Sequence, residues 1–139
     1  MKRGEVWWAR LEEEQPVVLL SGREAAELRA MQIVNPATAA EKRGFMVLTG
    51  EEASDAQATE RIVISAGSAI GGVGIEVGVG SREGLPYEGV VRVALPRDGR
   101  IFCTWLLTLT PEYLVQQIGA LSPAKLRQLD NALRLAAIE

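Results

Sequence analysis

The residue types able to do chemistry here are few. The chain has no histidine and a single cysteine, Cys103. Proton transfer by paired imidazoles, Ser-His-Asp catalysis and Cys-His catalysis are therefore excluded, and so are the usual zinc ligand sets. Cys103 has no base to activate it and reads as a small buried hydrophobe. Arginine, hydroxyl, amide and carboxylate chemistry remain. Arg92, Arg97 and Arg100 share a stretch opposed only by Asp98, and a guanidinium fork can hold a phosphate through two parallel hydrogen bonds. Trp7 and Trp8 are adjacent. Aromatic faces stack unpaired bases, but neighbours on a strand point to opposite faces, so one of the two belongs to the core. Gly71-Gly72-Val73-Gly74 sits between strand-like segments rather than before a helix, and so reads as a turn and not a phosphate loop.

The elements that must position these groups fit one domain of 139 residues, with no internal linker or repeat. A chain of this size buries enough surface to need no metal or disulfide staple, and the single cysteine fits a reducing compartment. Met1 to Glu5 has no apolar stretch after its charges and is not a signal peptide; no apolar run is long enough to span a membrane. The net charge of −3 argues mildly against a nucleic-acid partner. The acids, however, cluster at Glu12-Glu13-Glu14 and Glu51-Glu52, which leaves room for a local basic face.

Residues 5–11 have strand composition, and the unbroken run Val17-Val18-Leu19-Leu20 predicts a strand buried on both faces. Residues 23–30 favour one or two helical turns, and 31–34 a third strand. Phe45–Leu48 and Arg61–Ile64 suggest an added hairpin within 40–74. Residues 75–79 and 90–95 read as strands, and Asp98-Gly99 predicts a hairpin returning through 101–107. Thr110, Pro111 and Gly119 carry the start and stop signals of a helix. Ser122-Pro123 starts another, with Leu126, Leu129, Leu133 and Ala136 on one face. The sum is an α+β, mainly β architecture: a small barrel with a C-terminal amphipathic helix and an inserted hairpin.

Arg3-Gly4-Glu5-Val6-Trp7-Trp8 resembles the opening strand of the MazF/PemK family, the toxin halves of bacterial toxin–antitoxin pairs. Gln15-Pro16-Val17-Val18-Leu19-Leu20-Ser21 is similar to its second strand and Ile33-Val34-Asn35-Pro36-Ala37-Thr38 to its third. Gly84-Leu85-Pro86 with Gly89-Val90-Val91-Arg92 resembles a segment of the PemK branch, and Ile118 to Ser122 resembles the lead into the terminal helix. The blocks arrive in the family's order. The resemblance implies an SH3-like barrel spanning residues 1–139, a cytoplasmic homodimer, and cleavage of single-stranded RNA at a short sequence without a metal or other cofactor. A cognate antitoxin protein would cover the RNA groove.

The same resemblance assigns candidate residues. Thr38 stands where the family has a catalytic threonine, and Arg92 where the PemK branch has an active-site arginine. Gln15 stands where most members have their main catalytic arginine, and Ala94 where the branch has an acid. Replacing a charged donor by an amide weakens transition-state stabilisation by ~3 kcal/mol. Arg23, Arg29, Arg10, Arg97 and Trp8 are candidates for RNA contact, and Glu14 for a general base, set against solvated-surface or core roles. Two main readings remain: an active endoribonuclease, or a barrel that binds antitoxin or nucleic acid without cutting. An unrelated peptide-binding module is disfavoured by the scarcity of Tyr and Phe.

Overall fold

The structure is a computed structural model that describes residues 2–20, 27–42, 45–55, 57, 61, 72–94 and 106–136. Five strands form one antiparallel sheet in the order β7-β3-β2-β1-β8: β1 (Glu5–Arg10), β2 (Glu14–Leu19), β3 (Leu28–Gln32), β7 (Leu106–Leu109) and β8 (Leu114–Ala120). Three more, β4 (Phe45–Thr49), β5 (Gly72–Val79) and β6 (Gly89–Ala94), form a second sheet in the order β4-β5-β6. The sheets are stitched where the chain leaves β3. Val34 and Val90 exchange backbone hydrogen bonds of 2.9 and 2.8 Å. The described strands thus make two bridged sheets and not a closed barrel. A single helical turn, α1 (Ala39–Lys42), comes after the bridge, and α2 (Pro123–Leu135) ends the described chain. No helix among the described residues is long and apolar enough to cross a membrane.

The main core lies between one face of the five-stranded sheet (Val6, Val18, Met31), the inner face of the second sheet (Ile75, Val77, Val91, Val93) and α2 (Leu129, Ala132, Leu133). A second cluster occupies the opposite face of the five-stranded sheet, with Ala9, Val17, Leu19, Leu28 and Ala30. β2 is therefore apolar on both sides, as its unbroken Val17–Leu20 run predicts.

The helix α2 begins as its sequence signals say. The Ser122 hydroxyl accepts the Lys125 N–H at 3.2 Å and Pro123 sits at the first helical position. Its polar side is tied to the rest of the chain. Arg3 reaches Asp130 at 2.6 Å and the Leu20 carbonyl at 2.6 Å, while Lys125 pairs with the buried Glu83 at 2.9 Å.

Several local expectations give way to pairing. Leu28 to Ala30 are strand, not helix, because β3 has a hydrogen-bonded neighbour on each side, and Leu28 and Ala30 are wholly buried. Residues 21–26 lie outside the described residues. Of the helix expected over Thr110–Gly119 only a 3-10 turn at Pro111–Tyr113 forms; β8 then pairs with β1. Gly119 ends no helix. A Cβ there would collide with the Glu83 carbonyl oxygen, so glycine allows that backbone to pass close. Phe45–Leu48 is a strand, yet it pairs in parallel with β5 instead of in a hairpin, and the rest of the expected hairpin, Ile62–Ile64, lies outside the described residues. So does the Asp98-Gly99 turn; the described part of the strand after it, β7, pairs with β3 and not with β6.

Leu133 is fully buried in the main core, which α2 shares with both sheets. Leu133→Ala is expected to lower stability by about 2–5 kcal/mol, read as a shift in the denaturant midpoint at unchanged slope.

Candidate active site

Arg92 and Glu76 sit directly opposite each other on β6 and β5, on the face turned away from the main core. Both are nevertheless buried, at 7% and 9% exposure. The Arg92 Nε donates to Glu76 Oε2 at 3.0 Å, and its Nη2 donates to the Asn35 carbonyl at 3.1 Å. The same Glu76 oxygen accepts the Ala37 N–H at 3.0 Å. The pair therefore grips the segment Asn35–Ala37 at two points: the guanidinium holds a carbonyl and the carboxylate holds an amide. Such charges are stable in a low-dielectric site only when their bonding capacity is met in this way. Thr38, exposed, comes immediately after the gripped segment and precedes α1.

Gln15 lies at the start of β2, beside the same exit from β3, where the Ile33 N–H donates to the Pro16 carbonyl at 2.9 Å. Its side-chain oxygen accepts a hydrogen bond from the Gln32 amide at 3.2 Å. These two amides, with Leu11, Glu12 and Glu13, line an open cavity of about 430 Å³. Leu11 to Glu13 are the loop of the β1–β2 hairpin, pinned by the Leu11 N–H on the Glu13 carbonyl at 3.2 Å. Arg92, beneath the surface, thus meets the chain that leaves β3 just before Thr38, while Gln15 bonds to Gln32 at the end of β3 itself.

The other candidates scatter. Arg10 is exposed at the end of β1, opposite Glu14 and next to the hairpin loop. Arg29 is half-buried toward the far end of β3 from Gln32. Trp8 packs against the main core, whereas Trp7 packs against the second cluster. Trp7 also donates its indole N–H to Glu5 at 3.1 Å. Burial opposes ionisation of Glu5, but that bond and one from the Lys2 N–H outweigh it and hold the carboxyl below its ordinary range. Arg23, Arg97, Arg100, Cys103 and Trp105 lie outside the described residues. Glu76 and Gln32 are the residues that sequence reasoning missed. Glu76 had one signal: a single acid in the otherwise apolar, alternating strand 75–79. The carboxylate beside Arg92 comes from Glu76 on the neighbouring strand, and position 94 is an alanine.

Glu76→Ala strands a buried guanidinium and is expected to cost about 3–5 kcal/mol, while Glu76→Leu with Arg92→Met, an apolar pair of similar bulk, restores only part of that loss in the same denaturation assay, because the Ala37 N–H still lacks its acceptor.

No protein-family model matches the sequence, and no curated protein matches it either. Solved structures do resemble it. The Mycobacterium tuberculosis toxin MazF-mt6 aligns over 96% of this chain and 96% of its own, with a TM-score of 0.56 and 17% identity. An endoribonuclease from a mycobacterial species, solved in complex with its cognate antitoxin, aligns over 99% of this chain and 92% of its own, with a TM-score of 0.53 and 16% identity. An endoribonuclease from a mycobacterial species gives the same TM-score and identity over 99% and 90%. From end to end, the chain has the fold of the MazF toxins.

Proposed function

We propose that this protein is the toxin of a toxin–antitoxin pair, a metal-independent endoribonuclease that cuts single-stranded RNA at a short sequence. The observation that carries this reading is the conjunction of a MazF fold over nearly the whole chain with Thr38 placed directly after the segment clamped by Arg92 and Glu76. In the reaction proposed, the 2′-hydroxyl of the RNA passes its proton to solvent and attacks the adjacent phosphorus. The bond to the 5′-oxygen breaks, that oxygen takes a proton from solvent, and a cyclic phosphate and a free 5′-hydroxyl result. Thr38 donates to a phosphate oxygen as charge builds there. Gln15 offers a neutral donor where an arginine would offer a charged one. Arg92, already paired with Glu76, acts by positioning the Thr38 segment. Arg10, Arg29 and the candidates Arg23 and Arg97 supply phosphate contacts, and Trp8 a stacking face where its half-exposed edge reaches solvent. A homodimer in the cytoplasm, silenced by a cognate antitoxin, completes the proposal.

A second reading has specific support. The uncharged Gln15, the neutralised Arg92 and the acidic hairpin loop all weaken phosphate binding, which favours a barrel-like module that binds antitoxin or nucleic acid without cleavage.

The two readings part in one experiment. The purified protein is incubated with a long defined RNA in EDTA, and new 5′ ends are mapped by primer extension. Discrete cuts at a recurring short sequence are expected; intact RNA at high protein excess supports the second reading. Thr38→Val is expected to slow cleavage by about a hundredfold and Gln15→Arg to raise it by a similar factor.

A further inference from the structure

The hairpin-loop cavity is poorly suited to a phosphate. Its charged residues are Glu12 and Glu13, with Glu14 next in the chain, and these repel the RNA backbone. A neutral ligand rich in hydrogen-bond donors meets no such penalty. The residues that line the cavity bring two carboxylates, which can only accept, and a mixed donor and acceptor pair in Gln15 and Gln32. The Gln32–Gln15 bond uses one amide hydrogen and one lone pair. Whichever way the two amides are turned, a donor and an acceptor remain for a ligand. Leu11, half-buried against the second apolar cluster, supplies an apolar wall. The volume, about 430 Å³, lies within the range of small-ligand pockets.

We infer that this cavity is a base-reading pocket that takes an unpaired guanine of the RNA. The inference rests on the ribonuclease reading for its choice of ligand. Guanine presents N1–H and N2–H side by side, the arrangement a carboxylate accepts through both oxygens. Its O6 accepts from the glutamine amide. Uracil offers a single N–H between two oxygens and turns acceptors toward the glutamates. Adenine offers one amino group beside a bare ring nitrogen. The pocket lies at the β2 start that carries Gln15, so a guanine seated there fixes the register of the bound strand against β2.

The test is equilibrium binding of 2′-O-methyl oligouridines, which lack the attacking hydroxyl and cannot be cut. Each carries a single guanine, inosine or adenine, and binding is followed by fluorescence anisotropy. Guanine is expected to bind about tenfold more tightly than inosine, which lacks only the amino group; this is the scale of one good bidentate pair. The double variant Glu12→Gln, Glu13→Gln is expected to erase that ratio, and Gln32→Ala to reduce it. Equal affinity for guanine and inosine overturns the inference. So does a double variant that binds all three oligonucleotides more tightly by one common factor, because the glutamates would then act as plain repulsive charge. The ribonuclease reading fails separately: guanine preference without cleavage of ordinary RNA keeps the pocket and removes the enzyme. Cleavage with no guanine preference does the reverse, and binding of none of the oligonucleotides removes the pocket.

Discussion

Two opposite charges on the outer face of a three-stranded sheet set the terms for the rest of this molecule. Removing Glu76 and Arg92 from water is costly, and their attraction alone does not offset the cost. The remainder comes from backbone groups of the segment just after β3. That segment is thereby fixed to the second sheet, although it is the direct continuation of the first. The Val34–Val90 bridge belongs to the same seam. One carboxylate thus helps to join the two sheets and holds the residue before Thr38, without itself lying at the surface.

The residues lining the hairpin-loop cavity are neutral or acidic. Arg92 is buried beside Glu76, and Arg10 is matched in register by Glu14. Amides, a hydroxyl and an apolar wall are groups suited to reading shape and hydrogen-bond pattern rather than charge.

How much of this was legible in the sequence depends on whether the signal was local. The α2 cap at Ser122-Pro123 and its apolar stripe read correctly, because capping and helical spacing act within a few residues. The double burial of β2 read correctly because an unbroken apolar run carries it. The stretch before β3 and the stretch after Thr110 did not. Leu28 to Ala30 have helical propensity, and Thr110-Pro111 does start a 3-10 turn, but pairing with partners distant in sequence makes strands of Leu28–Gln32 and Leu114–Ala120. The parallel pairing of β4 with β5 was invisible for the same reason: an apolar segment does not announce its partner's direction. At the site, Thr38, Arg92 and Gln15 were found by resemblance. Glu76 and Gln32 were not, because each owes its place to a residue 16 or 17 positions away in the chain.

The ends of the described chain meet. β1 pairs with β8, the Gly4 carbonyl accepts the Leu121 N–H, and Arg3 is bonded to Asp130, 127 residues further on. The first strand therefore depends on β8 for its second sheet neighbour, and the main core depends on α2 for its helical wall. Contacts of such high sequence separation close late. Loss of either end opens the same core, because Val6 near one end and Leu129 near the other belong to a single apolar cluster.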